Sequence, residues 1–219
     1  MISICMPYYD RQERLNDALL KYDEIYKDFD LEIVIVDDGS PEPIEVETSF
    51  PHTILTLPKT GPLNPCVPIN LAVAQADGSR VLLTSPEVIH RTDVLSQMIA
   101  EWDTNLDYVS ASVFDHERGY LTGDAPRQKG SRAPYPEGAE FPHCALFSKE
   151  LFIAAGGYDP DYRRGRAFDD NDFLWRLHYA GARFKTVTGV VYHVHEKTRW
   201  ELPSNEPLFR KKWPELYSS

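Results

Sequence analysis

Residues 31–36 read Leu-Glu-Ile-Val-Ile-Val and stop at Asp37-Asp38-Gly39-Ser40. A β-branched run ended by a polar turn is the pattern of a strand buried on both faces, and such strands belong to parallel sheets covered by helices. The rest of the chain fits that plan. Residues 2–6 form a short apolar run, and Asp10 and Glu13 take the N-cap and N3 places of a helix with the apolar stripe Leu15, Ala18, Leu19 and Tyr22. A weaker strand is expected at 53–57, a helix at 69–76 and a strand at 81–84. A helix carrying Val94, Leu95, Met98, Ile99 and Trp102 follows, then a strand at 108–114. Strands alternating with helices predict an α/β fold, a mostly parallel central sheet flanked by helices, with ligands beyond the carboxyl ends of the strands.

The final third is less regular. Residues 115–141 are rich in Gly, Pro and charge without a clear period, long enough to form a functional lid or mobile loop. Beyond them a strand is expected at 145–148, a helix at 170–180 and a pair of strands within 184–193, before a Pro-rich, partly basic tail from Pro203.

At 219 residues a single domain buries roughly 70% of its unfolded surface, so a core needs no disulfide or metal staple. The 23 Lys and Arg against 34 Asp and Glu leave a net charge of −11, which disfavours nucleic acid as a partner. Residues 1–10 have no basic region and too short an apolar run for a signal peptide. The uncharged stretch 60–76 holds Pro62, Pro65, Pro68, Asn64 and Asn70, so it reads as a loop and a soluble helix, not a membrane span. Cys5, Cys66 and Cys144 are odd in number and lack CxxC spacing, arguing against disulfides or a cysteine zinc site. The expectation is a soluble protein of a reducing cytoplasm, at most peripheral to a membrane.

Polar clusters punctuate strand ends and helix starts: Pro7-Tyr8-Tyr9-Asp10-Arg11, Asp37-Asp38-Gly39-Ser40, Ser85-Pro86-Glu87, Asp169-Asp170-Asn171-Asp172 and His193-Val194-His195-Glu196. Each has a bland reading: an Asx turn closing a strand, an N1 proline with an acid in the first helical turn, helix-start acids, surface histidines. A carboxylate at the end of a buried strand can also accept hydrogen bonds from a nucleobase imide and ribose hydroxyls. On an extended segment His193 and His195 point to one side, where they could take a metal.

Taken together, SICMPYYDR, LEIVIVDDGS, ADGSRVLLTSPEV, GGYDPDY, FDDNDFLWRL and VYHVHE resemble, in order and spacing, a family 2 type glycosyltransferase of the GT-A fold. The likeness covers Ser3 to about Glu196. It implies a glycosyltransferase domain over 1–202, with a nucleotide-sugar part at 1–114 and an acceptor part at 115–202, and a tail at 203–219. It implies that Asp38 reads uracil, that Pro7, Tyr8 and Asp37 complete the base and ribose pocket, and that Tyr9, Arg11 and Ser85 belong to the same nucleotide site. Ser85-Pro86-Glu87 stands where the family has Asp-x-Asp, so the first acid is missing and Glu87 matches the metal-binding position. A Mn²⁺ or Mg²⁺ ion held by one or two protein carboxylates can complete its shell with phosphate oxygens and water. His193 is the preferred second ligand, with His195 beside it.

By the same resemblance Asp170 matches the general base, Asp169 orients an acceptor hydroxyl, and His143 lies on the acceptor side. Asp172, four residues before Arg176, is structural. Asp170 is expected to stay ionised at a helix start. Arg163, Arg164, Arg166, Lys197 and Arg199 are candidates to clamp a diphosphate or charged acceptor, and Trp200 and Trp213 either stack on a sugar or pack. The implied activity is transfer from a nucleotide-diphosphate sugar, a UDP-sugar, to a glycan, lipid-linked or other hydroxyl acceptor with inversion. A retaining transferase and a non-catalytic nucleotide-sugar module with a degenerate Asp-x-Asp are the alternatives. A sugar nucleotidyltransferase would place a Gly-rich basic loop where Tyr8-Tyr9-Asp10 stands, and a HAD-type phosphatase would need an Asp-x-Asp pair at the second strand.

Overall fold

The computed structural model describes residues 1–58, 64–115, 120–121, 134–193 and 202–217. In chain order the elements begin β1 (Ile2–Tyr8), α1 (Gln12–Ile25), β2 (Leu31–Asp37), β3 (His52–Thr56), α2 (Cys66–Gln75), β4 (Arg80–Leu83), β5 (Val88–His90) and α3 (Val94–Ala100). They continue β6 (Asp107–Asp115), β7 (Tyr120–Leu121), β8 (Ala145–Ser148), α4 (Lys149–Ala154), α5 (Asp169–Tyr179), β9 (Arg183–His193) and α6 (Glu206–Lys212). Short 3₁₀ turns cover Pro160–Arg164 and Pro214–Tyr217.

Among the described residues the strands form one nine-stranded sheet, in the order β3-β2-β1-β4-β8-β6-β9-β5 with β7 beside β6. Strands β1, β2, β3, β4, β6 and β9 run one way, and β5, β7 and β8 run against them. The mostly parallel sheet expected from the sequence is therefore present, with an antiparallel strand inserted between β4 and β6.

Period-two alternation sends successive residues of β1 and β2 to opposite faces, and both strands are apolar but for Asp37 at the end of β2 and Ser3 and Glu32, whose side chains hydrogen-bond each other at 2.5 Å. Ile4, Met6, Ile33 and Ile35 join one core with Leu15, Ala18, Leu19 and Tyr22 of α1 and Val94, Leu95 and Met98 of α3. Cys5, Val34 and Val36 join the opposite core with Ile69, Ala72 and Val73 of α2, Leu151 and Phe152 of α4, and Phe173, Leu174 and Leu177 of α5. Both faces are covered, so a polar residue on either would be buried without water. All seven residues of β2 are buried.

Several expectations need correction. Arg11, not Asp10, takes the N-cap place of α1, with no side-chain capping bond, and Asp10 instead turns the chain with a left-handed φ of 48°. Helix α2 starts at Cys66 because Pro68 falls in its first turn, where a missing N–H costs nothing. Helix α3 stops at Ala100, and Trp102 packs on the core beyond it with the Arg80 guanidinium 5.0 Å over its ring. Residues 184–193 are not two strands. β9 is continuous, with a register shift between the pairs Ala111–Val187 and Val113–Val191. Gly189 in that irregularity allows close approach of α3, since a Cβ there would lie 2.5 Å from Val94 Cγ1. The short elements β5 and α4 were not foreseen. Among the described residues no helix is long and apolar enough to cross a membrane.

Candidate active site

Parallel strands β1, β2 and β4 end side by side, so the polar turns after each face one opening. A cavity of about 460 Å³ lies there. Its wall includes Pro7, Tyr8, Tyr9 and Arg11 after β1, Asp38 after β2, and Ser85 and Glu87 after β4. His143 precedes β8 on the same wall, and Asp169 and Asp170 reach it from the N-terminus of α5. Residues far apart in sequence are thus brought together. Asp37 is not on this wall.

The Asp37-Asp38-Gly39-Ser40 turn divides its work between its two acids. Asp37 is buried, and its Oδ1 accepts from the Ser40 N–H at 2.9 Å and from the Ser40 hydroxyl. Ser40 Oγ in turn accepts the Asp10 N–H at 2.9 Å, tying this turn to the loop after β1. Gly39 supplies the left-handed φ of 78° that closes it. Asp37 therefore closes the turn, while Asp38 is the acid presented to the cavity. Asp38 is 4% exposed, and its Oδ1 accepts from Arg163 Nη2 at 3.3 Å. Burial pushes its carboxyl up to about 6, against the opposing pull of the Arg163 guanidinium.

Ser85 and Glu87 sit in a tight turn, the Val88 N–H donating to the Ser85 carbonyl at 3.0 Å. Pro86 and Glu87 lead into β5, which excludes the reading of Pro86 as the first residue of a helix. Glu87 Oε1 lies 3.4 Å from Arg11 Nε. Val88 pairs with His193 across β5 and β9, so the backbone after Glu87 runs directly beside that of His193. His195, Lys197, Arg199 and Trp200 lie outside the described residues, as does most of the 115–141 segment. Among the described residues no group of three His, Cys, Asp or Glu side chains could hold a metal.

Helix α5 starts with Asp169 and Asp170 behind Ala167 and Phe168, both in left-handed backbone at φ 59° and 68°. Non-glycine residues hold such angles only where surroundings impose them, and they concentrate at functional sites. Burial raises both carboxyls above the ordinary aspartate range, and the Asp170 charge adds to the rise at Asp169. The expected effect of the helix start is outweighed by desolvation. The Asn64 side chain donates to Asp169, and the Tyr158 hydroxyl donates to Asp170 Oδ1 at 3.0 Å, each favouring the ionised form.

Neither Asn64 nor Tyr158 was singled out from sequence, and both line the cavity. Tyr158 is fixed by its ring stacked on Phe173 at 4.3 Å and by paired bonds with Asn70, its N–H donating to Oδ1 at 2.8 Å and its carbonyl accepting from Nδ2 at 2.7 Å. Gly157 before it has φ 64°, and a Cβ there would lie 2.8 Å from Asn70 Oδ1. That packing is a physical reason for Gly157, whereas Gly156 before it answers a left-handed φ of 80°. The Asn64 N–H donates to the Arg163 carbonyl at 2.9 Å, so Asn64 links the arginine beside Asp38 to the acid beside Asp170. Asp172 is fully buried, accepting from Arg176 Nε at 2.5 Å, Tyr162 Oη at 3.2 Å and Trp213 Nε1 at 2.8 Å. It is structural, and Trp213 packs instead of facing the cavity.

Residues 3–155 match the model of glycosyl transferase family 2. The chain belongs to that family. It is also similar in fold to solved structures: Staphylococcus aureus TarS (TM-score 0.66, 16% identity, covering 89% of this chain and 36% of that one), and residues 1–349 of S. aureus TarS in complex with UDP-GlcNAc (TM-score 0.65, 16% identity, 90% and 59%). A third is the mannosyltransferase PcManGT from Pyrobaculum calidifontis in complex with GDP-Man and Mn²⁺ (TM-score 0.64, 18% identity, 91% and 58%). The chain spans between about a third and three fifths of the length of these structures. No curated protein matches it. The GT-A fold implied by the sequence resemblance is the fold these family 2 residues adopt.

Proposed function

We propose that this family 2 domain transfers a sugar from a nucleotide-diphosphate donor, a UDP-sugar, to an acceptor hydroxyl with inversion. One observation carries the reading: Asp38, with the nucleotide-end residues Pro7 and Tyr8, shares a cavity with the paired Asp169 and Asp170. A nucleotide seated against Asp38 has its diphosphate directed along the end of β4 toward Ser85, Glu87 and Arg11. The sugar then lies between those residues and α5.

In this reading Asp38 accepts from the base, and Arg11 offers charge-assisted hydrogen bonds to phosphate oxygens. Asp169, held by Asn64, orients the acceptor hydroxyl. Asp170 removes its proton as the oxygen bonds to the anomeric carbon and the bond to the diphosphate breaks, with no covalent enzyme intermediate. A carboxyl raised by burial is a better base than an ordinary aspartate, since its pKa lies nearer the operating pH.

Glu87 would hold a hard divalent cation, since one carboxylate suffices where phosphate oxygens complete the shell, with His193, whose backbone pairs with that of Val88, as the second ligand and His195 beside it. Such an ion supplies charge stabilisation to the departing diphosphate. The complexes of PcManGT with GDP-Man and Mn²⁺ and of TarS with UDP-GlcNAc support a nucleotide-sugar donor and a metal.

Ser85 in place of the first acid, with Glu87 paired to Arg11, favours one second reading: a module that binds a nucleotide sugar without turning it over. Binding and slow hydrolysis of a panel of nucleotide sugars, with Mn²⁺, Mg²⁺ or EDTA, on wild type and Glu87→Ala, separate the two. Metal-dependent binding and turnover of one UDP-sugar, reduced in Glu87→Ala, is the expected result; binding without turnover favours the module, and no binding of any donor contradicts both.

A further inference from the structure

The strained loop that delivers Asp169 and Asp170 is held from the far end of the chain. Asn205 is buried, and its Nδ2 donates to the carbonyls of Tyr162 and Ala167, each at 3.0 Å. Its backbone N–H donates to the Arg166 carbonyl at 3.1 Å, and the Arg166 N–H donates to the Pro203 carbonyl at 2.9 Å. Both amide hydrogens of one side chain are thereby used to close the chain between Tyr162 and Ala167. Gly165 lies so close that a Cβ there would sit 2.0 Å from Asn205 Oδ1. One turn on, the fully buried Phe209 ring packs at 5.5 Å from that of Phe168. Leu202, at the start of the same segment, lies on the cavity wall with Arg166 and Ala167.

We propose that Asn205 is a positioning residue for transfer: by holding the Ala167 carbonyl it imposes the left-handed Ala167-Phe168 backbone that aims Asp169 and Asp170 into the cavity. The segment lies beyond the residues matched by the family model, and the role rests on the reading of Asp170 as base. Two left-handed non-glycine residues in succession would relax if released, since L-residues prefer the other hand. At the nucleotide end, Tyr8 closes β1 and Asp38 follows β2, and the amide touches neither; its link to that end is the Tyr162 carbonyl beside Arg163, whose own carbonyl stays held by the Asn64 N–H at 2.9 Å. Loss of Asn205 therefore separates donor binding from chemistry.

The test uses the full chain, with UDP and Mn²⁺ for binding and UDP-GlcNAc hydrolysis for turnover. Asn205→Ala and Asn205→Asp are expected to lower kcat by about 10- to 100-fold, the scale of a misplaced catalytic group, and to change the UDP Kd by less than about twofold. The acidic limb of the kcat–pH profile should move toward lower pH as the released loop hydrates its carboxyls, and amide exchange over 165–172 should speed up. Gly165→Ala, whose Cβ would meet Asn205 Oδ1 at 2.0 Å and the Pro203 carbonyl at 2.9 Å, should reproduce the effect. A lower Tm with unchanged kcat and pH profile would assign Asn205 a purely structural role and overturn the proposal. Wild type that does not turn over donor removes the functional reading and this role with it, whereas active wild type with unaffected variants removes this role alone.

Discussion

Asp38 Oδ1 and Arg163 Nη2 meet at 3.3 Å across the nucleotide end of the cavity, although 125 positions separate them in the sequence. The pair joins the end of β2 to the 3₁₀ turn before α5, so the donor side of the site is completed by the acceptor half of the chain. Asp38 must be ionised to accept from a base, and burial sets its carboxyl near 6. Nucleotide affinity is therefore expected to fall as pH drops through about 6. Asp38→Asn should weaken UDP binding by about 10- to 100-fold, the worth of a hydrogen bond to a charged group. Arg163→Ala, which removes the charge that favours the ionised acid, should move the pH midpoint upward. Calorimetric titration with UDP from pH 5 to 8 measures both.

The Asp169–Asp170 pair is costly to the fold at neutral pH. Both carboxyls have folded-state values above the ordinary one, so the stability they contribute is present below about 3.9, the ordinary aspartate value, and is lost as pH rises through the raised values. Asp170→Asn is expected to raise Tm at pH 7 and to leave it near wild type around pH 4. Each 1 kcal/mol relieved is about 2–4 °C in a chain of this length. Thermal melts at the two pH values decide this, and a Tm loss at pH 7 would contradict the account. In wild type, turnover should rise with pH with a midpoint above the ordinary aspartate value, and that midpoint belongs to the pair.

Much of this arrangement was legible because it rests on local pattern. The apolar runs of β1 and β2 mark strands buried on both faces, and their ends carry Pro7, Tyr8 and Asp38. The paired acids at 169 and 170 announce themselves by their place before a helical stripe. What stayed hidden acts through distant partners. Asn64 and Asn205 look like ordinary loop asparagines until the fold places Asp169 and the Ala167 carbonyl beside them. Strand β5 has three residues and no period to detect, and β9 looked like two strands because its register shift interrupts the alternation. Asp10 looked like a cap because the sequence does not reveal a left-handed turn. The two acids at 37 and 38 could not be told apart until Ser40 was seen bound to one of them.

All three cysteines are buried, and burial pushes the Cys66 thiol up to about 12 and the Cys5 and Cys144 thiols higher still. A thiol that is neither exposed nor ionised is a poor nucleophile. The native chain is expected to leave Ellman's reagent uncoloured over minutes at pH 8, and the unfolded chain to release three equivalents. Prompt reaction of one thiol in the native state would show that its element opens.

Gly78 tests the sheet that supports the site. Its N–H donates to Ser3 Oγ at 2.8 Å and to Glu32 Oε1 at 3.1 Å, and a Cβ there would meet Ser3 Oγ at 2.6 Å and Ser3 N at 2.9 Å. The Ser3 backbone belongs to β1 and cannot move aside cheaply. Gly78→Ala should destabilise by about 1–3 kcal/mol, the cost of overpacking, read from urea unfolding, with Ser79→Ala as the neighbouring control.

The central claim is that one cavity both holds the nucleotide and carries the base that drives transfer. Measuring UDP-sugar affinity and turnover on the same preparations of wild type and Asp170→Asn tests it most directly. The account predicts a turnover loss of about 100-fold or more, the contribution of a positioned general base, with donor affinity unchanged. Turnover that survives in Asp170→Asn, or donor binding lost along with it, would contradict it.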